Sequence, residues 1–206
     1  MAVCISTNLM GQDAHRFDAD IKKFTEIPVP KEAGLVVFTG SSSIRFWKNL
    51  KKDCAGTPVI NTGFGGSHMS DLLFFIDQTV LRFQPEKVYI YEGDNDIAAE
   101  KSPKVVLETT KKVVHKILNS NPDITIHFIS AKPSPSRWKY KEQYIKFNSL
   151  LKNYCDTNRQ LYYIDVWNTM LNDHGRPIPD IFVSDSLHMS RKGYLLWKNT
   201  ICMNLK

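Results

Sequence analysis

The sequence predicts an α/β fold, a three-layer α/β/α sandwich around a five-stranded parallel sheet. Short apolar runs alternate with longer segments of helical periodicity along the 206-residue chain. The short runs are rich in β-branched and aromatic residues and apolar almost throughout, which is typical of strands buried on both faces. Strands that alternate with crossover helices form a parallel sheet covered on both sides, because each crossover has to pack back onto the sheet.

Five apolar runs predict the strands. In chain order they are Leu35–Thr39, Pro58–Asn61, Lys87–Tyr91, Ile124–Ser130 and Leu161–Val166. Apolar residues at helical spacing predict crossover helices between them, most clearly over 71–83 and 105–117. Ligands of such sheets bind beyond the carboxyl ends of the strands, so the residues that follow each strand are the first candidates for a site.

Length and composition predict one soluble domain over residues 1–206. Apolar residues make up 42% of the chain and charged residues 23%, both near the averages for globular proteins. No stretch approaches the roughly 20 apolar residues of a membrane span. Residues 1–14 have a short apolar patch without the basic start of a secretory signal, and we interpret them as a signal-peptide remnant or an N-terminal extension. The compartment therefore stays open between a secreted or periplasmic location and the cytoplasm.

Charge and cysteine content narrow the classes of partner and cofactor. The net charge of +6 comes from lysines spread along the whole chain, which argues against nucleic acid as the partner. The cysteines, Cys4, Cys54, Cys155 and Cys202, are far apart and form no C-x-x-C pair, so they indicate neither a zinc knuckle nor a thioredoxin-type site. We expect mostly free or buried thiols, and the oligomeric state is left open.

The first strand is followed by a serine-rich turn. Gly40-Ser41-Ser42-Ser43-Ile44 leads directly into a predicted helix, which places Ser42 at the positive end of that helix as a candidate nucleophile. An ordinary serine N-cap is the alternative interpretation.

The second and third strands are followed by segments suited to hold an anion. The glycines of Asn61-Thr62-Gly63-Phe64-Gly65-Gly66-Ser67 let the backbone approach a ligand and present bare N–H groups. Glu92-Gly93-Asp94-Asn95-Asp96 ends the third strand, and Asn95 can donate its amide there. A flexible turn and an Asx-type turn are the respective alternatives.

An acid and a histidine stand three residues apart before the last predicted helix. Asp185 precedes His188 in the segment Val183–Ser190, and this spacing lets the carboxylate reach the imidazole Nδ1. A histidine held in this way keeps Nε2 free as a base, which is what activation of a serine requires. The alternative is a surface histidine beside a chance aspartate.

Together, the segments GSSSI, GFGG, GDND and DSLH resemble the four motif blocks of the SGNH hydrolase superfamily, also called GDSL-like lipases and esterases. The resemblance spans about Val36 to Tyr194 and implies a flavodoxin-like SGNH fold without a metal or cofactor. It further implies a catalytic set of Ser42, Asp185 and His188 and an oxyanion hole of Ser42, Gly66 and Asn95.

The sequence departs from the family pattern at Ser41, which replaces the aspartate of the namesake motif, so a hydroxyl must replace a contact made by that carboxylate. Overall spacing is similar to the platelet-activating-factor acetylhydrolase-like branch. This similarity implies a serine esterase acting on acetyl or other short acyl esters of carbohydrate or lysophospholipid type.

Residues that flank the motifs are candidates for substrate binding, although aromatic residues at such spacings are also common in cores. They are Arg45, Phe46, Trp47, Phe64, His68, Trp138 and Met189. His68 is also a weaker candidate for the base, because the positive end of a helix disfavours an imidazolium. The segment Lys132–Trp138 follows the fourth strand, and we expect its basic ends to be available to an acidic substrate.

Two rival functions remain. A metal-dependent phosphohydrolase would use Glu92, Asp94, Asp96 and His188, because clustered oxygen ligands suit magnesium or manganese. A non-catalytic carbohydrate- or protein-binding module is the other, since one fold hosts many functions. The complete set of nucleophile, base and oxyanion donors favours the esterase, whose partner is a small-molecule or carbohydrate ester.

Overall fold

The computed structural model describes residues 13–30 and 32–205 and contains the predicted five-stranded parallel sheet. The strands are β1 (Val36–Gly40), β2 (Val59–Gly63), β3 (Lys87–Tyr91), β4 (Thr125–Ile129) and β5 (Leu161–Ile164). They are arranged in the order β2-β1-β3-β4-β5, and all neighbours are parallel. The prediction of the fold is confirmed, with no strand end displaced by more than two residues. The interpretation of residues 1–14 lies almost wholly outside the described residues.

Helices and short helical turns connect the strands. The α-helices are α1 (Asp18–Thr25), α2 (Ser42–Arg45), α3 (Leu50–Asp53), α4 (Met69–Phe74), α5 (Ile76–Thr79), α6 (Asp94–Ala98), α7 (Pro103–Ser120), α8 (Lys141–Cys155) and α9 (Arg191–Ile201). The helix predicted over 105–117 is confirmed within α7. The one predicted over 71–83 is broken into α4, α5 and a 3₁₀ turn, because Phe75 leaves the helical backbone region to bury its ring near Phe64. Across the described ranges, no helix combines the length and the apolar character needed to cross a bilayer.

Both faces of the sheet are covered, which produces three layers. Along β1, Val37 points into a core shared with α1, α4, α7 and α8, whereas Val36 and Phe38 point into a second core shared with α3 and α9. All five residues of β1 are buried, as expected for a central strand in a doubly covered sheet. The catalytic candidates lie at the carboxyl edge of this strand and of its neighbours.

A disulfide and a half-buried ion pair join α3 to the two ends of α9. Cys54 and Cys202 are bonded across a separation of 148 residues, so the expectation of mostly free or buried thiols does not hold for this pair. Next to it, the Asp53 carboxylate accepts two hydrogen bonds from the Arg191 guanidinium, at 2.5 and 2.6 Å. Cys155 is free and buried. Spacing could not reveal the pairing, because only packing on one face of the sheet brings the two cysteines together.

Candidate active site

Ser42, the nucleophile candidate, follows a tight turn whose backbone at position 40 is accessible only to glycine. Gly40 ends β1 with φ of +120°, and a Cβ built there would come 2.1 Å from the Tyr91 carbonyl oxygen on the neighbouring strand. The chain can therefore pass directly from β1 into α2, whose first residue is Ser42. The Tyr194 hydroxyl of α9 donates to the Ser43 carbonyl at 2.9 Å, which fixes this turn against the last helix.

Ser42, His188 and Asp185 form a hydrogen-bonded series. Ser42 Oγ lies 3.0 Å from His188 Nε2, and His188 Nδ1 lies 2.5 Å from Asp185 Oδ2. The other carboxylate oxygen, Oδ1, accepts the backbone N–H groups of Leu187 and His188, each at 2.9 Å. This arrangement orients the imidazole so that Nε2 can receive a proton from the serine hydroxyl.

The same contacts determine the charge of Asp185. Desolvation raises the pKa of its carboxyl group, but the hydrogen bonds from the His188 side chain and from two backbone N–H groups outweigh it and lower the pKa to about 2. The carboxylate is therefore ionised throughout the neutral range. A fixed negative charge beside Nδ1 stabilises the imidazolium that forms when Nε2 takes a proton.

Two backbone N–H groups beside Ser42 are available to a ligand. Within the described ranges, the N–H groups of Ser42 and Gly66 donate to no protein acceptor. Gly66 has φ of +84° with open space where a side chain would stand, and the adjacent Gly65 brings this loop alongside Ser42, because a Cβ built on Gly65 would lie 3.6 Å from Ser42 Cβ. Free backbone N–H groups near a serine hydroxyl suit a developing oxyanion.

The Asn95 amide lies next to Ser41 and already donates to two acceptors. Its Nδ2 donates to Ser41 Oγ at 2.7 Å and to the Ser67 carbonyl at 2.9 Å, while its Oδ1 accepts from Arg137 Nη2 at 2.9 Å. The Ser41 hydroxyl, which stands where the family has an aspartate, thus accepts one hydrogen bond from the amide when no ligand is bound. An oxyanion bound here would accept that hydrogen bond in place of Ser41.

Asp94 anchors a buried polar network behind Asn95. Its carboxylate accepts from the hydroxyls of Tyr91 and Tyr144 and from the side chains of Lys132 and Arg137, at distances of 2.6 to 3.4 Å. Desolvation raises the pKa of Asp94, but the two cations and the hydrogen bonds lower it below its ordinary value overall. The expectation that the basic ends of Lys132–Trp138 are available to an acidic substrate is wrong, because both cations face Asp94.

The acids of the rival metal site diverge. Glu92 accepts a hydrogen bond from the Ser67 hydroxyl, and Asp96 accepts from the Met69 N–H and from Lys101, at 2.9 Å each. Burial raises the pKa of Glu92 well above its ordinary value. In the ranges that the structure covers, no group of three His, Cys, Asp or Glu side chains is arranged to hold a metal ion.

Three of the candidate substrate-binding side chains belong to the hydrophobic cores instead. Trp47, Phe64 and Met189 are at most 5% exposed. The Trp47 indole packs between core aromatic rings and donates to Asp53 at 2.8 Å, and the Phe64 ring packs edge-on against Phe17. Their place in the core leaves them almost no surface to offer a ligand, and the prediction for them is corrected accordingly.

The other candidates have different surroundings. His68 is buried at the start of α4, with its Nδ1 3.4 Å from Asp96 Oδ1, and it is His188, not His68, that contacts the Ser42 hydroxyl. Arg45 is half-exposed, pairs with Asp20 at 2.9 Å and lines a cavity of about 390 Å³. The exposed Phe46 ring lies edge-on to the His188 imidazole, with ring centroids 5.0 Å apart.

Trp138 borders a cavity beside the acid and base. This cavity of about 360 Å³ is lined by Pro135, Trp138, Asn172, Arg176, Pro177, Pro179 and Ser186. Ser186 lies between Asp185 and His188, and its carbonyl accepts from the Ser136 N–H at 3.2 Å. The loop after β4 and the loop with the acid and base therefore share one wall of this cavity.

A flavodoxin-like sheet that carries a serine, a histidine and an aspartate in series at its carboxyl edge is characteristic of the SGNH class of hydrolases. The sequence profile of the GDSL-like Lipase/Acylhydrolase family matches residues 35–196. The chain therefore belongs to this family of ester hydrolases. No curated protein sequence matches the chain significantly.

Solved structures share the fold at low sequence identity. A protein from Streptococcus pneumoniae, provisionally named as a platelet activating factor, superposes with a TM-score of 0.82 at 17% identity over 92% of both chains. A provisionally named acylhydrolase from Bacteroides fragilis gives 0.78 at 22% identity, covering 94% of this chain and 97% of the other. A family 3 carbohydrate esterase from Talaromyces cellulolyticus gives 0.68 at 13% identity, covering 83% and 95%.

Proposed function

We propose that the protein is a serine esterase that hydrolyses short acyl esters, with acetyl esters of carbohydrates as the preferred substrate class and lysophospholipids as the second. The observation that carries the proposal is the series Ser42 Oγ, His188 and Asp185, joined at 3.0 and 2.5 Å. The serine is the nucleophile, the histidine the general base, and the aspartate orients the imidazole and compensates its charge.

Acylation transfers one proton and exchanges one bond. As Ser42 Oγ bonds to the ester carbonyl carbon, its proton passes to His188 Nε2. The tetrahedral intermediate then collapses, the bond to the alcohol oxygen breaks, and His188 returns the proton to that oxygen. The alcohol leaves, and the acyl group remains on Ser42 as an ester.

The negative charge of the intermediate is stabilised by three donors. In this proposal the donors are the N–H groups of Ser42 and Gly66, which have no protein acceptor among the described residues, and the Asn95 amide, which donates to Ser41 next to the nucleophile. In deacylation, His188 takes a proton from water, the resulting hydroxide attacks the acyl carbon, and the proton is delivered to Ser42 Oγ as the acid departs. The same donors stabilise this second intermediate.

A short acyl group is supported by the burial of three apolar side chains that flank the motifs. Trp47, Phe64 and Met189 are buried in the cores and therefore offer almost no exposed apolar surface to a long acyl chain. The exposed edge of Phe46 beside His188 provides a small apolar contact of a size suited to an acetyl group. The short acyl preference also agrees with the resemblance to the platelet-activating-factor acetylhydrolase-like branch.

A hydroxyl-rich alcohol is supported by the cavity next to Ser186. Trp138 offers an aromatic edge there, and Asn172 and Arg176 offer hydrogen-bond donors. Polar donors beside an aromatic ring suit a carbohydrate better than an apolar alcohol. Two of the structural relatives are family 3 carbohydrate esterases, from Talaromyces cellulolyticus and Clostridium thermocellum, although likeness at this identity concerns the fold alone.

The test compares Ser42→Ala with Ser43→Ala, a matched control in the same helix. Both variants and the wild type are assayed on p-nitrophenyl acetate, octanoate and phosphate, on an acetylated oligosaccharide and on lysophosphatidylcholine, each with and without a chelator. We expect chelator-resistant acetate hydrolysis that falls by about 10⁶ in Ser42→Ala and persists in Ser43→Ala. A fluorophosphonate should add one adduct to the wild type and none to Ser42→Ala.

Each substrate separates one part of the proposal. Faster turnover of the acetylated oligosaccharide than of lysophosphatidylcholine supports the carbohydrate class, and the reverse order selects the lipid. Faster octanoate than acetate hydrolysis contradicts the short acyl preference. Phosphate release that depends on metal and survives in Ser42→Ala would refute the esterase.

A further inference from the structure

The Arg137 guanidinium bridges two consecutive residues at the start of α6. Nη1 donates to Asp94 Oδ1 at 2.6 Å, and Nη2 donates to Asn95 Oδ1 at 2.9 Å. We infer that Arg137 is a positioning residue that keeps the Asn95 amide nitrogen turned toward Ser67 and toward Ser41, the residue before the nucleophile. This inference rests on the proposed function, in which Asn95 is an oxyanion donor.

The amide of Asn95 can occupy two orientations of nearly the same shape, related by half a turn. The Ser67 carbonyl can only accept a hydrogen bond, so it requires Nδ2 on its side, whereas the guanidinium of Arg137 can only donate and requires Oδ1. Half a turn would set oxygen against oxygen and N–H against N–H. The Ser41 hydroxyl is compatible with either orientation because it can both donate and accept a hydrogen bond. Ser67 and Arg137 therefore select the orientation together.

Arg137 is suited to this role because its own position is fixed. Its side chain is 19% exposed, and a guanidinium keeps its charge at every relevant pH while presenting donors in a rigid fork. Asp94, which receives one arm of that fork, also accepts from the hydroxyls of Tyr91 and Tyr144 and from Lys132. Without Arg137, Asp94 keeps these three partners, whereas Asn95 Oδ1 loses the hydrogen bond that it accepts from Arg137 Nη2.

Removing Arg137 should therefore lower kcat through Asn95. Loss of one hydrogen bond from a charged donor predicts a fall of about tenfold to hundredfold in Arg137→Ala. Loss of the oxyanion donor itself in Asn95→Ala predicts about 10² to 10³. KM for a small ester should change little in either variant, because the lost interaction strengthens in the transition state. Arg137→Lys, which cannot bridge both residues, should fall between wild type and Arg137→Ala.

The experiment measures kcat and KM on p-nitrophenyl acetate for Arg137→Ala, Asn95→Ala, the double variant and Ser42→Ala. We expect the double variant to be no slower than Asn95→Ala, and millimolar guanidinium to restore part of the rate in Arg137→Ala but not in the double variant. Lys132→Met is the matched control, since Lys132 also contacts Asp94 but not Asn95. Its kcat should stay within about twofold of wild type, and thermal unfolding reports the stability of every variant.

Two results would overturn the inference. One is a decrease in kcat from Arg137→Ala that is as large in the Asn95→Ala background as in the wild type. The other is a kcat in Lys132→Met as low as in Arg137→Ala. If Arg137→Ala does not fold, the same cycle is run with Arg137→Lys. Failure of the proposed function is distinguishable, because it would show as activity retained in Ser42→Ala, whatever the Arg137 variants do.

Discussion

Asp185→Asn should inactivate the enzyme more severely than Asp185→Ala, although asparagine is the closer replacement. The Asp185 Oδ1 accepts two backbone N–H groups, at 2.9 Å each, while Oδ2 faces His188 Nδ1. An asparagine would turn its carbonyl oxygen to the two N–H groups and its NH₂ toward Nδ1. Nδ1 must then accept, so the imidazole proton moves to Nε2 and points at Ser42 Oγ. A protonated Nε2 cannot act as the base.

The magnitudes follow from these contacts. Two backbone hydrogen bonds favour the harmful orientation by about 1 to 3 kcal/mol, and an asparagine in place of a triad acid costs about 10⁴ in kcat. Alanine leaves Nδ1 to water, because the Asp185 side chain is 46% exposed. The electrostatic support lost in Asp185→Ala is then on the order of 1 kcal/mol after solvent screening. With some loss of orientation, we expect a fall in kcat of about 10- to 100-fold for Asp185→Ala.

The assay is steady-state hydrolysis of p-nitrophenyl acetate by both variants, with circular dichroism to check folding. A kcat for Asp185→Asn at least about tenfold below that of Asp185→Ala is expected. Equal rates, or a faster Asp185→Asn, would show that Asp185 does not determine which imidazole nitrogen carries the proton, and the reasoning would be refuted.

Three further predictions concern stability and substrate binding. Replacing Cys54 and Cys202 by serine removes a cross-link between residues 148 positions apart and should lower the free energy of unfolding by about 2 to 5 kcal/mol in urea titrations. The wild type in reductant should have the same stability as the variant, and an unchanged midpoint would contradict the disulfide. The hydrogen bond from Arg191 is the largest influence on Asp53 and lowers its pKa, so the stability it provides is present above the ordinary value of 3.8 and is lost as pH falls below it. Asp53→Asn should therefore cost stability at pH 7 and progressively less below pH 3.8, and a pH-independent difference would argue against the ion pair. Trp138→Ala should raise KM for an acetylated oligosaccharide while leaving kcat for p-nitrophenyl acetate unchanged; unchanged KM would remove Trp138 from the site.

The sheet and the hydrogen-bonded series of Ser42, His188 and Asp185 could be predicted because both depend on local patterns. Each strand is a short apolar run, and a parallel sheet brings the residues after β1, β2 and β3 to one edge whatever the lengths of the connections. Ser42 follows β1 and so lies at this edge. Asp185 and His188 are three residues apart in one loop, which is close enough for their side chains to meet.

Features that depend on contacts between distant segments could not be predicted. The charges of Lys132–Trp138 are visible in the sequence, but the direction in which they point is decided by Asp94 at the start of α6. Trp47 stands beside a motif and looks like a pocket wall, yet α2 is only four residues long and the chain beyond it turns the indole into the core. The bridge from Arg137 to Asn95 has the same origin, since 42 residues separate its partners.

Glu92 provides a test of the buried polar groups around Ser67. The carboxyl is fully buried, one oxygen accepts from Ser67, and the other has no hydrogen-bond partner among the described residues. Desolvation, reinforced by the charges of Asp96, Asp71 and Asp94, raises its pKa well above 4.5. The folded state therefore retains a proton that the unfolded chain releases, so this group favours folding at low pH and loses that effect as pH rises toward the pKa in the folded state.

The raised pKa predicts a slope in stability that Glu92→Gln should remove. Between pH 4.5 and the folded-state pKa, Glu92 lowers the free energy of unfolding by about 1.4 kcal/mol per pH unit. Urea titrations of wild type and Glu92→Gln across pH 5 to 8 isolate this slope, because the glutamine does not titrate and the other residues are common to both proteins. The slope is a better readout than absolute stability. In Glu92→Gln, the amide group that replaces the unpartnered carboxyl oxygen would also lack a hydrogen-bond partner, and this changes absolute stability by itself. Parallel pH dependences would mean that Glu92 is ionised in the folded protein, and the buried polar groups would then have to carry that negative charge beside Ser67.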